Sequence, residues 1–244
     1  MAWSAGATSG QVLAGGKGQG NRLDQLDYPT DVIVDRSTDS LIICDRGNRR
    51  VIRWPRRGGT QGQILQSSIA CWGLTMDHRG FLYVTDTGKQ EVRRSKVGDS
   101  QGTIVAGGNG QGDRVDQLKF PTYVFVDRNH SVYVADNENH RVMKWVEGAQ
   151  QGQVVAGGNG QGDSLKQLHY PKGVVTDGMG TVYVADEGNH RVIRWFRGAS
   201  EGSVVVVRGK LIGPTGLSFD RQERLYVVEN NDNHRVQRFE VISP

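Results

Sequence analysis

The sequence predicts an all-β chain folded as a single ring of four-stranded antiparallel blades, and three observations predict it. A segment of the form Asn-His-Arg-Val recurs along the chain, with its valines at Val51, Val92, Val142, Val192 and Val236, a period of about 40–50 residues. A short run of β-branched and aromatic residues ending in an acid precedes each copy. The apolar positions show no 3.6-residue period, so the repeat is not helical.

Each repeat divides into the same four strands. Strand A is an apolar stretch ending in Asp: Val32–Asp35, Leu74–Asp77, Val124–Asp127, Val174–Asp177 and Leu217–Asp220. Pro29, Pro121, Pro171 and Pro214 precede it in four repeats and fix an extended start, and Cys71 takes that place in the second. Polar or glycine residues then turn the chain, as in Arg128-Asn129-His130. Strand B follows as Leu41–Cys44, Leu82–Thr85, Val132–Ala135, Val182–Ala185 and Leu225–Val228, with the composition of a strand packed on both faces. An acid opens the turn into strand C. Strand D is typified by Gln153–Ala156.

The chain ends carry register information. Trp3 aligns with Trp145 and Trp195, and Gly10–Gly16 aligns with Gly152–Gly158, so the chain opens on a strand D. It finishes after a strand C at Phe239. The expectation is a five-bladed β-propeller, closed by the N-terminal strand completing the last blade and monomeric as a ring. Closure removes the free edges that invite aggregation. The alternative is an incomplete six-bladed ring. The chain reads as one domain over 1–244, with repeats at about 17–66, 67–106, 107–156, 157–207 and 208–244 plus 1–16.

With Pro, Asp, Tyr-Val-Ala-Asp and Asn-His-Arg-Val in that order in the full repeats (Tyr133–Asp136 with Asn139–Val142, and Tyr183–Asp186 with Asn189–Val192), the chain resembles the NHL-repeat family. Lys89-Gln90-Glu91 departs from the pattern in the second repeat, and Glu229 with one extra residue departs in the fifth. The resemblance implies a propeller. Relatives in that family include RNA-binding, amidating-lyase and ligase-associated domains. No RING-type Cys/His cluster or lyase site is present in the sequence.

Composition narrows the classes further. The net charge of +4 permits an anionic partner without requiring one. No apolar run reaches the length of a membrane span. Two cysteines exclude a disulfide framework but leave one bridge open, because antiparallel A and B strands put Cys44 and Cys71 on the same face of neighbouring blades.

The candidate sites each have a plainer reading beside the functional one. Asp86, Glu91, Asp136, Asp186 and Glu229 form a candidate interaction face, and the acids before strand C (Asp45, Asp136, Asp186, Glu229) can equally bond Arg50, Arg141, Arg191 and Arg235. Asp86 and Glu91 stand out as unneutralised, since Glu91 replaces the arginine. Arg53, Arg94, Lys144, Arg194 and Arg238 form a basic strand-C ring, a candidate for anion or RNA contact. His140, His190 and His234 share one repeat position on separate blades, too far apart for a metal, and read as turn residues. His78, His130 and His169 read as isolated. The connectors Ala106–Asp113 and Ala156–Asp163 read as glycine turns with positive φ rather than phosphate loops, since no helix follows them. Asn129-His130-Ser131 is a glycosylation sequon at a hairpin tip.

The channel candidates in strand A (Val32, Leu74, Val124, Val174, Leu217, or Ile33, Thr75, Phe125, Val175, Ser218) supply no convergent acid, base or metal ligand. The expected function is therefore a non-catalytic scaffold without cofactor, binding protein or peptide through the loop face. RNA binding is the alternative, and a lyase-like or ligase-associated domain detached from its partner domains is a further one.

Overall fold

The computed structural model describes residues 1–3, 7–99, 102–207, 209–230 and 235–241. It is an all-β, five-bladed propeller. Blade 1 holds β1 (Pro29–Asp35), β2 (Ser40–Asp45), β3 (Arg50–Pro55) and β4 (Gln63–Ser67). Blade 2 holds β5 (Cys71–Met76), β6 (Phe81–Asp86), β7 (Glu91–Lys96) and β8 (Thr103–Gly107). Blade 3 holds β9 (Pro121–Val126), β10 (Val132–Asp136), β11 (Arg141–Trp145) and β12 (Gln153–Gly157). Blade 4 holds β13 (Pro171–Thr176), β14 (Val182–Asp186), β15 (Arg191–Trp195) and β16 (Ser203–Val206). Blade 5 has three strands, β17 (Pro214–Phe219), β18 (Leu225–Glu229) and β19 (Val236–Phe239).

Every blade is an antiparallel meander, so its first strand starts, and its second ends, on one side of the ring. That side carries the B–C turns and the glycine connectors, and is the turn face. The opposite side carries the A–B hairpins and is the hairpin face. A register shift at the start of each first strand, as between Val134 and Asp136 of the partner β10, inserts a bulge there. Bulges re-aim side chains, and these act on the residues just after the proline, at the mouth of the channel on the turn face.

The core lies between blades rather than within them. Cys44, Val51, Leu74 and Val84 pack blade 1 on blade 2. Val92, Leu118, Val134 and Trp145 join blades 2 and 3, and Ala135, Val142, Leu168, Val184 and Trp195 join blades 3 and 4. The inner strands pack in order: β1 on β5, β5 on β9, β9 on β13 and β13 on β17. Gly73 and Gly173 permit that approach. A Cβ on Gly73 would lie 2.7 Å from Thr122 O, and one on Gly173 2.3 Å from Thr215 O, closer than a side chain tolerates.

The N-terminal strand does not complete the last blade. Gln11 pairs with Ala2 in an isolated antiparallel bridge, while β19 stays the edge of its sheet. That bridge repeats the Lys144–Gln153 pair of blade 3. Ala2, at the position of Lys144 in the repeat, occupies the edge of the D segment that β19 would need. A hairpin closed within a dozen residues carries far less loop-closure entropy than a pairing across the whole chain. The D segment does sit on blade 1, where Ala14 packs against Ile43, Ile52 and Trp54.

Among the described residues, no packing comparable to the four inter-blade joints connects β17 to β1. Val32 on β1 is 54% exposed, whereas its equivalents Leu74, Val124 and Val174 are buried. No helix in the described residues is long and apolar enough to cross a membrane.

Candidate functional site

The acids before strand C are interior clamps, not an exposed face. Asp45, Asp136 and Asp186 are fully buried and receive Nε of Arg50, Arg141 and Arg191 at 2.6, 2.7 and 2.7 Å. Each arginine then donates to three carbonyls of the preceding connector, as Arg141 does to Asp113, Arg114 and Gln117. Asn48, Asn139 and Asn189 donate to the same acids. Burial raises the Asp136 and Asp186 carboxyls above the usual range, against the hydrogen bonds and the arginines that lower them. Glu229 is buried as well and pairs with Arg235.

The second blade solves the same problem with other residues. Buried Glu91 pairs with Arg93, two positions along the strand, so it is not left unneutralised. Asp86 accepts the backbone N–H groups of Gly88 and Lys89. Glu91 is thus paired within its own strand, and Asp86 is buried and hydrogen-bonded through Oδ1 within its own turn.

Four of the five basic strand-C residues are likewise engaged by side chains. Each faces a strand-B residue, tyrosine in blades 2 to 5: Arg94 opposite Tyr83, Lys144 opposite Tyr133, Arg194 opposite Tyr183 and Arg238 opposite Tyr226. Those tyrosines donate to Asp77, Asp127, Asp177 and Asp220 at the A–B hairpins. Burial is the main reason the Tyr83 hydroxyl is pushed up to about 12. Arg53 donates to Gln63, Arg94 pairs with Glu147, Lys144 lies 3.9 Å from Asp127, and Arg194 donates to Ser203. Arg238 is exposed.

The repeated histidine connects blades. Nδ1 of His140 accepts the backbone N–H of Tyr170, and Nδ1 of His190 accepts that of Gly213. Gln90 serves blade 2 in the same way by accepting from Phe120. His234 lies outside the described residues. The other histidines are not isolated: His130 stacks on His78 and contacts Asp77 at 3.1 Å, and His169 packs on Tyr170. In the connectors, Gly107, Gly108 and Gly110 have φ of 66°, 82° and 79°, the left-handed region only glycine enters freely.

Residues that are individual to one blade converge at the channel mouth on the turn face. The position after the strand-A proline is Thr30, Trp72, Thr122, Lys172 and Thr215 around the ring. The Arg46 guanidinium lies 4.3 Å from the Trp72 ring centroid, and Lys172 Nζ lies 5.2 Å from it. Phe120 meets the same ring edge-on at 5.2 Å. Lys172 is held 2.9 Å from Glu187, whereas Arg46 has no carboxylate partner among the described residues. Tyr123 reaches across the channel to donate to Thr30 O of blade 1. Beside it Asp31 accepts the N–H of Leu74, and enclosure raises its carboxyl to about 7.

Sequence reasoning passes over this cluster because the strand-A positions that it weighs for the channel lie two and three residues further along. The available signal is a repeat position that is Thr in three blades and changes to Trp72 and Lys172 in the other two.

Cys44 and Cys71 are bonded across the blade 1–blade 2 joint, with Cα atoms 5.8 Å apart. No three His, Cys, Asp or Glu side chains among the described residues are grouped to hold a metal.

No curated protein matches the chain by sequence. The fold is similar to that of a chain in a nidogen/laminin complex, at 20% identity and a TM-score of 0.63 over 79% of this chain and 71% of that one. It is also similar to a gluconolactonase from Xanthomonas campestris (18% identity, TM-score 0.68, 91% of this chain and 81% of that one). An auxiliary nutrient binding protein from Bacteroides thetaiotaomicron matches at 15% identity and a TM-score of 0.67, over 89% of this chain and 60% of that one. At such identities the likeness shows the fold alone. The NHL repeat family matches at residues 168–195 and 211–239, the segments that hold the first three strands of blades 4 and 5. The chain is a five-bladed β-propeller whose fourth and fifth blades match the NHL repeat.

Proposed function

We propose that the chain is a non-catalytic platform that binds a protein or peptide at the channel mouth of the turn face. The observation that carries this reading is the Arg46–Trp72 stack. It is an aromatic anchor with a guanidinium laid on it, and that guanidinium has no acid of its own among the described residues. Trp, Tyr and Arg are the residue types that dominate binding energy at protein interfaces. Tyr28 and Tyr170 add exposed rings on the same face. The partner chemistry that fits is a segment bearing an aspartate or glutamate, whose carboxylate would take the free side of Arg46.

The test is a peptide array probed with the whole chain. Peptides retained by the wild type are expected to be enriched in acidic residues. Arg46→Glu and Trp72→Ala should lose them at least tenfold with unchanged circular dichroism. Retention by both variants overturns the site. A stoichiometric channel metal, or single-stranded RNA bound with affinity falling steeply with salt, overturns the scaffold reading.

A further inference from the structure

We propose that Asn129 carries an N-linked glycan. Asn129-His130-Ser131 is the one Asn-X-Ser/Thr triplet in the sequence, and its middle residue is not proline. The structure puts Asn129 at the exposed tip of the A–B hairpin of blade 3. Its backbone N–H donates to Asp127 Oδ1, as does that of Ser131, and the turn closes through His130 N–H to Asp127 O. The hairpin is thus held by Asp127 and the main chain, and the Asn129 amide plays no part in it. The same tip position holds Arg79, Met179 and Gln222 in other blades, so the fold places no demand on the side chain there.

A second, independent feature concerns the compartment. The Cys44–Cys71 bridge is buried in the core between blades 1 and 2, away from any reactive surface. Structural bridges of this kind form and persist in oxidising compartments, one of which, the secretory lumen, is also where asparagine is glycosylated. The donor class is a lipid-pyrophosphate-linked oligosaccharide. The Asn129 amide nitrogen forms a bond to the sugar C1, the C1–oxygen bond to the pyrophosphate breaks, and the amide loses one proton.

Ser131 is buried in the finished hairpin. Transfer therefore precedes folding, because the acceptor triplet is readable only while the chain is extended. Once folded, the glycan stands at the lip of the cleft between blades 3 and 4 on the hairpin face, beside Met179 and Phe196. It shields that face and leaves the turn face clear. The inference does not depend on the binding reading above.

The experiment is a peptide map, with and without glycosidase, of the chain directed into the secretory pathway of cultured animal cells. Both the intracellular and the secreted pools are mapped. The expected result is one glycan, absent from Asn129→Gln and kept in Ser131→Thr, with the thermal midpoint of Asn129→Gln unchanged. Unmodified Asn129 in both pools overturns the proposal. So does free thiol at Cys44 and Cys71 in protein purified from its native cells.

Discussion

The backbone N–H of Tyr170 donates to Nδ1 of His140 at 3.2 Å, and both residues sit in the left-handed region, with φ of 49° and 53°. One side chain thereby joins the B–C turn of blade 3 to the strained residue ahead of Pro171. Gln90 does the same for Phe120 at the preceding joint. The histidine of the repeat is an acceptor between blades, which a glutamine can replace.

His140→Gln should accordingly keep stability within about 0.5 kcal/mol, while His140→Ala loses about 1 kcal/mol, read by urea unfolding. Burial is the main cause of a His140 pKa below its usual value, so the folded state prefers the neutral ring. The contribution is present above the unfolded pKa near 6.5 and is lost as pH falls through the lower folded value. His140→Gln should remove that acid sensitivity.

Asp31 gives the opposite slope. Its carboxyl titrates near 7 in the fold against 3.8 for a free aspartate side chain, so the folded state holds the proton more tightly. Its contribution is complete below about pH 4 and declines as pH rises towards 7. Asp31→Asn keeps an acceptor for the Leu74 N–H and should flatten stability between pH 4 and 7. An unchanged slope in the variant would remove Asp31 as its source.

Arg141→Ala should cost about 3–5 kcal/mol, because it strands the buried Asp136 carboxylate and unties three carbonyls of the connector. Lys119→Ala, on an exposed ion pair with Glu138, should change stability by under about 1 kcal/mol. Chemical denaturation of the two variants side by side makes the comparison.

The seam between the last and first blades is tested by one substitution made twice. Val174→Lys buries a charge between inner strands and should cost more than about 3 kcal/mol. Val32→Lys, at the same repeat position on the uncovered strand, should stay within about 0.5 kcal/mol. Equal costs would mean that β1 is covered in solution.

Reduction of Cys44–Cys71 frees a loop with a sequence separation of 27 and should lower stability by about 3.5 kcal/mol. A double Cys→Ser variant measured against the oxidised chain reads this directly.

Much of the architecture was legible because each blade is built from local hairpins. Val132–Ala135 and Arg141–Trp145 pair a few residues apart in sequence, so their composition and turn residues already specify the pairing. The left-handed glycines of the connectors and the turn role of the aspartates follow from the same local logic. The acids before strand C were harder to place. Asp136 is adjacent in sequence to polar turn residues, which reads as surface, yet three carbonyls of a connector more than twenty residues away close over Arg141 and bury the pair. Composition carries no record of that enclosure.

The sequence by itself determined the repeat and the strand order within each blade, because these depend on period-two alternation and short turns; it left the Cys44–Cys71 bridge open, and the packing of blade 1 on blade 2 decided it. Only the tertiary structure decided which edge Gly10–Gly16 pairs with, and which blade-specific side chains meet at the channel mouth. Arg46 reaches Trp72, and Tyr123 reaches Thr30, across joints between blades. Such contacts are set by how far each blade turns from the last, a property of the packed ring and not of any one repeat.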